Sequence, residues 1–307
     1  MQTPAAIPVK TRKRIFDHRH PIGIYWFILP AVGLFFLFSV YPVLDSLVMS
    51  FTDWPLIGQA HFVGFKNYAH IAQDPYIGTA LRNVIYYGAV SVPLQLVLGL
   101  VATLALDRPL RGRAAFRVLF YLPVITSWVV VSVLFEYLFN TDYGLVNWLL
   151  TSLHLTSQGI AWLAGPRSAI LMLAILGTWK GIGWTMMIFL AGLQSISADL
   201  YEAAAIDGAN RWQQFRNVTV PGLRNSTLFI TVMLTVGAFN VFLSVFIITG
   251  GGPGHSTEVL LSRLYNAAFS DMNFGYASAL SYFTTALIVI VSLLQFWLLP
   301  SRREKEV

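Results

Sequence analysis

Six apolar runs, each long enough to cross the roughly 30 Å hydrocarbon core of a bilayer as a helix of about 20 residues, dominate this chain of 307 residues. They lie near Ile24–Phe51, Val84–Leu106, Phe116–Phe139, Ala169–Leu193, Leu228–Thr249 and Ala279–Leu299. Such runs point to an all-α polytopic membrane protein with six transmembrane helices, because a spanning segment must satisfy its backbone hydrogen bonds internally. Charge supports this. Only 11% of residues are charged, whereas a soluble domain carries about 25%, so lipid has to cover most of the surface. The first run contains Pro30 and Pro42 and follows a basic tail; it is too long for a signal peptide and shows no small-residue cleavage site, so a retained helix is expected.

The basic residues sit between the runs, and their distribution orients the chain. Lys10, Arg12, Lys13, Arg14, Arg19, Arg108, Arg111, Arg113, Arg117, Arg211, Arg216, Arg224, Arg302, Arg303 and Lys305 fall on one side. Lys66, Arg82, Arg167 and Arg263 fall on the other, and Lys180 lies within the fourth run. This 15-to-4 split places both termini in the cytoplasm. The chain then divides into a cytoplasmic tail (1–23), a six-helix domain (24–299) and a second tail (300–307). The net charge of +6 is accounted for by topology and calls for no nucleic acid. With no cysteine there is neither a disulfide nor a zinc–thiolate site, and the six histidines show no metal-ligand spacing.

One cytoplasmic loop stands out. Residues 195–227 read SISADLYEAAAIDGANRWQQFRNVTVPGLRNST. Ser197 or Asp199 suits a helix start, with Glu202 in the first turns to complement the helix dipole. Tyr201, Ala205, Ala209, Trp212 and Phe215 recur at helical spacing, giving an amphipathic helix that Gly208 interrupts and Pro221 and Gly222 end. An apolar face outside the membrane lies either on lipid headgroups or in a groove of another protein.

The stretch Glu202-Ala203-Ala204-Ala205-Ile206-Asp207-Gly208, followed by Phe215 and Val220-Pro221, resembles the EAA loop of binding-protein-dependent ABC importer permeases. The resemblance covers about Pro30 to Leu299. It is strongest to the carbohydrate, maltose-type branch, through Gly64-Phe-Lys-Asn-Tyr68, Phe116-Arg-Val-Leu-Phe-Tyr-Leu-Pro123, Ile188-Phe-Leu-Ala-Gly-Leu-Gln194, Thr249-Gly-Gly-Gly-Pro253 and Phe274-Gly-Tyr-Ala-Ser-Ala279. Unlike the larger maltose permease subunit, this chain lacks extra N-terminal helices and a large external domain, since Thr52–Asn83 is short.

The resemblance implies a type I importer fold in the bacterial cytoplasmic membrane. Glu202, Ala203, Ala204, Asp207, Gly208 and Pro221 would couple it to two copies of a cytoplasmic ATPase. A second permease and an extracytoplasmic binding protein complete the complex. It also places Trp128, Gly181, Trp184 and Asn240 near the sugar path, with Ser244 one turn beyond Asn240. The plain alternatives are interfacial or packing roles for each tryptophan and an interhelical hydrogen bond for Asn240. Lys180, costing about 2.5–3.5 kcal/mol at mid-span, is expected to face a wet cavity or a partner: substrate, a carboxylate of the companion permease, or the interface by snorkelling. Gly250–Gly254 lacks the Gly-Lys-Ser/Thr ending of a phosphate loop, and no nucleotide-binding motif occurs, so ATP and magnesium belong to the partner ATPase and this chain carries no cofactor. A glycerol-phosphate or polyol importer is the alternative within the family. An ion-coupled transporter would need buried acids, and a membrane enzyme a catalytic cluster; the spans offer mainly Asp45 and Glu136 as acids, both in outer halves, and no such cluster.

Overall fold

In a computed structural model, residues 22–55, 59–107 and 111–298 are described. The basic residues Lys10, Arg12, Lys13, Arg14, Arg19, Arg108, Arg302, Arg303 and Lys305, and with them most of the two tails, lie outside these residues. The chain divides after Val48 into two units.

The first unit holds α1 (Ile22–Phe35), a wide π turn (Phe36–Val40) and the start of α2 (Tyr41–Met49). Pro30 is carried inside α1. The π turn stands just before Pro42, whose missing amide would have donated to the Phe38 carbonyl, and the widened turn absorbs that lost donor. Apolar side chains surround the helix, as for a segment that meets lipid.

The second unit begins with a short hairpin, β1 (Thr52–Asp53) antiparallel to β2 (His61–Phe62). Then come α3 (Lys66–Gln73), α4 (Pro75–Asp107), α5 (Arg113–Ile125), α6 (Trp128–Leu138), α7 (Leu145–Ser152) and α8 (Pro166–Gln194). The loop after α8 forms α9 (Ala198–Ile206), α10 (Arg211–Gln214), a π turn (Phe215–Thr219) and α11 (Val220–Gly222). The chain closes with α12 (Arg224–Phe239), α13 (Leu243–Ile248), α14 (Leu260–Tyr265), a π turn (Asn266–Ser270) and α15 (Phe274–Leu298). Among the described residues five helices are long and apolar enough to cross a membrane, and the bent pair α5 and α6 passes the same test only when its two helices are taken together.

The third apolar run, Phe116–Phe139, is this pair and not one continuous helix. The two halves meet at 95°, with Thr126 and Ser127 extended between them. Likewise the fifth run is α12 followed by α13, separated by an irregular step at Asn240–Phe242. The second and fourth spans are longer than their apolar cores, at 33 and 29 residues.

The helices α4 and α8 form the centre of the unit. Val84, Tyr87, Leu173, Leu176, Ala238, Val245 and Leu280 are among the buried side chains of the largest apolar cluster. Polar cross-ties fix the register: the Thr103 hydroxyl donates to the Met186 carbonyl at 3.0 Å, and the Gln295 amide donates to the Thr235 hydroxyl at 2.7 Å. A third contact is closer still. A Cβ on Gly183 would stand 2.9 Å from the Tyr121 Cα and nearer yet to the Phe120 carbonyl oxygen, so α5 packs backbone to backbone on α8.

The elements α3, α4, α14 and α15 are stitched by charge. Asp74 caps the start of α4, one carboxylate oxygen accepting from the Tyr76 amide at 2.9 Å. Its other oxygen accepts from Arg263 Nε at 2.8 Å and from the Tyr276 hydroxyl at 2.6 Å. Burial alone would push this carboxyl up, but the Tyr276 hydroxyl, the Tyr76 amide and the Arg263 guanidinium together hold it below the usual range. A depressed folded-state pKa makes the contribution to stability complete above the ordinary carboxylate range, and it is lost as pH falls through the lowered value. Replacing Arg263 with alanine strands the buried carboxylate. We expect a loss of about 3 kcal/mol near pH 7 that shrinks toward pH 3 as the stranded carboxyl takes up a proton, readable from thermal melts of the detergent-solubilised protein between pH 3 and 7.

Candidate functional site

The pocket is built from the packing of α4 on α8. Tyr87, Ser91 and Gln95 are spaced four apart, so they share one face of α4. On α8, Gly177 and Gly181 are spaced the same way. The Tyr87 hydroxyl lies directly over Gly177 and the Gln95 carboxamide over Gly181, where any side chain would collide. Around this contact opens a cavity of about 330 Å³, closed by Trp128 of α6, Lys180 and Trp184 of α8, and Met233, Leu234 and Gly237 of α12. Its lining is hydroxyl, carboxamide and indole on an apolar frame. Lys180 is the one charged residue among those described in the wall.

Lys180 is 4% exposed. Its ammonium donates to the carbonyls of Pro123 at 2.7 Å, Val124 at 3.3 Å and Thr126 at 2.6 Å. These carbonyls end α5 at the 95° break, where helix geometry leaves them without intrahelical donors. The partner that the sequence required of this lysine is therefore backbone of its own chain. The Trp128 ring stands 5.0 Å from the same nitrogen, so the break, the lysine and one indole wall of the pocket form a single assembly.

Of the pathway residues expected from sequence, Trp128, Lys180, Gly181 and Trp184 meet in this cavity, while Asn240 and Ser244 lie outside its lining. Asn240 ends α12, is exposed, and donates to the Val236 carbonyl at 2.8 Å. Ser244 is 2% exposed within α13. The step at Asn240–Phe242 separates them, so Ser244 is not one continuous helical turn beyond Asn240. Tyr87, Ser91 and Gln95 were missed, although polar groups at four-residue spacing within an apolar span were a legible signal.

The loop between α8 and α12 is the second candidate site. Ser197 caps α9, its hydroxyl accepting from the Asp199 amide. The expected single helix is instead two. Gly208 adopts φ +78°, a left-handed turn that ends α9, and Asn210 starts α10 with a capping box completed by Gln213. The apolar stripe is split accordingly. Tyr201 is half-buried and its hydroxyl meets that of Thr219 at 3.0 Å, whereas Ile206 and Trp212 stand 87% and 67% exposed. Glu202, Ala203, Asp207 and Gly208 are exposed around the turn, and Ala204 is half-buried. Pro221 is exposed in α11, directly after a π turn that absorbs its missing amide donor; it continues the helical path, where the sequence suggested an end.

Residues 95–304 match the family described as the inner membrane component of binding-protein-dependent transport systems. The chain is 34% identical to the lactose transport system permease protein LacF of Rhizobium radiobacter, over 95% of this chain and 97% of that one. It is 32% identical to the trehalose/maltose transport system permease protein MalF of Thermococcus litoralis, over 86% and 89% of the two chains. In fold it matches a bacterial ABC transporter involved in import of the acidic polysaccharide alginate, with a TM-score of 0.80 over 94% of this chain and 98% of that one at 22% identity. The chain belongs to the family of inner membrane components of binding-protein-dependent transport systems, and it is an integral membrane protein of the importer-permease fold.

Proposed function

We propose that the chain is one of two permease subunits of an ATP-driven importer in the bacterial inner membrane, and that it passes a sugar of oligosaccharide type inward from an extracytoplasmic binding protein. The observation that carries this reading is the pocket between α4, α6, α8 and α12. Two indoles offer flat apolar faces to sugar rings, and Tyr87, Ser91 and Gln95 offer donors and acceptors to hydroxyls. The lactose and trehalose/maltose systems named for its relatives support the substrate class.

The turn between α9 and α10 is the coupling device. Glu202, Ala203, Ala204, Asp207 and Gly208 surround it, Pro221 directs the chain toward α12, and exposed Ile206 and Trp212 enter a cleft of the ATPase. Two ATPase copies hold ATP and magnesium, this chain holds no cofactor, and both termini lie in the cytoplasm. The test is uptake by proteoliposomes containing this chain with its partner permease, ATPase and binding protein. Accumulation of a labelled sugar from a lactose, maltose and trehalose panel should require both ATP and the loaded binding protein. Accumulation driven by an ion gradient with the ATPase omitted would contradict the proposal.

A further inference from the structure

The charge of Lys180 is committed before any ligand arrives. An ammonium has three N–H donors, and three carbonyls meet them, those of Pro123, Val124 and Thr126. The indole of Trp128 occupies a further side. The Thr126 hydroxyl shares the Pro123 carbonyl, donating at 2.6 Å. Drawing the lysine toward a bound anion would strip the end of α5 of its cap, inside a span where water is scarce. Each orphaned carbonyl then carries a desolvation penalty. The carbonyl dipoles converging on the ammonium also offset its field in the cavity. Tyr87, Ser91, Gln95 and the two indoles add no second cation, so an anion entering this wall would shed its hydration without a counter-charge.

From this we infer that Lys180 is a positioning residue that pins the 95° break and sets Trp128, and that the pocket takes an uncharged saccharide and rejects uronates and sugar phosphates. The inference rests on the sugar-import reading above and narrows it. It also separates two roles that mid-span position alone leaves joined, since a lysine serving an acidic substrate and a lysine serving its own backbone cost the same to insert.

The experiment uses the complete complex, with partner permease, ATPase and binding protein, trapped with ATP and vanadate so that substrate is held within the membrane subunits. Labelled neutral oligosaccharides (maltotriose, cellotriose, lactose) are compared with trigalacturonate and glycerol 3-phosphate for retention and, in proteoliposomes, for uptake. In the wild type only neutral sugars should be retained and carried, a result that needs no variant. In Lys180→Met, retention and uptake of neutral sugar should both fall at least fivefold as Trp128 loses its setting, and amide exchange across 126–131 should quicken. Retention of an acidic ligand by the wild type, lost tenfold or more in Lys180→Met, would overturn the inference while leaving sugar or polyol import standing. Retention of neither class by an assembled, ATP-hydrolysing complex would remove the sugar-import reading and the inference with it.

Discussion

Replacing Gly208 with arginine is expected to reduce sugar-stimulated ATP hydrolysis by the reconstituted complex at least tenfold, while the chain still reaches the membrane at its normal level. Two features set this expectation. Gly208 holds φ +78°, a region that costs a residue with a Cβ about 1–2 kcal/mol. Yet a Cβ there meets no atom of this chain within 4 Å. Within the subunit the penalty is conformational and modest. The large loss arises because the turn between α9 and α10 is presented outward, so a long cationic side chain meets the ATPase and not its own fold. Asparagine, which tolerates the left-handed region, should retain most coupling, and alanine should be intermediate. The measurement is ATPase activity of purified complexes with and without loaded binding protein, with subunit stoichiometry checked on the same samples. Full activity in a correctly assembled Gly208→Arg complex would place the coupling surface elsewhere.

The second large effect belongs to Gly183. Replacing it with leucine should remove the folded chain from the membrane, because the new side chain would be forced into the Phe120 carbonyl and the Tyr121 Cα. Backbone atoms cannot rotate aside as a side-chain tip can, so the two helices must separate. Overpacking of this kind costs about 3 kcal/mol or more, and here it also pulls the capped end of α5 away from Lys180. Expression level and a detergent melt read the result. Gly237→Ala, on α12 where a Cβ meets nothing within 4 Å, is the matched control and should be near neutral. A Gly183→Leu protein that melts like wild type would mean that α5 does not touch α8 at this point.

Five of the spans were legible in sequence because the bilayer imposes one length and one periodicity on every segment. The bend in the third span was not legible. Pro123 sits inside α5, as Pro93 sits inside the unbroken α4, and nothing in the string Phe116–Phe139 separates the two cases. The difference lies 57 residues on, in the Lys180 side chain that caps the carbonyls at the break. Local pattern carries no such long-range hydrogen bond. The same limit explains Asn240 and Ser244, which stand one helical turn apart only if the helix runs on; the step at Asn240–Phe242 breaks that premise. The loop of α9 and α10 shows the opposite case. Ser197, Gly208 and Asn210 each act on their immediate neighbours, so the start of α9 was readable, and the Asn210–Gln213 spacing held the second helix start that the apolar stripe obscured.

The sugar path proposed beside α4, α8 and α12 can be probed on the chain itself. The chain has no cysteine, so a single introduced thiol is the only one it carries, and its labelling is read on this chain after the subunits are separated. Gly237 lines the cavity, is exposed, and has room for a side chain. In membranes bearing the complete complex, Gly237→Cys should react with a water-soluble, membrane-impermeant thiol reagent. Transported sugar, delivered by the binding protein and trapped with ATP and vanadate, should slow that reaction at least fivefold. A thiol that reacts at the same rate with and without trapped sugar, in a complex that still transports, would contradict the assignment of this pocket as the path.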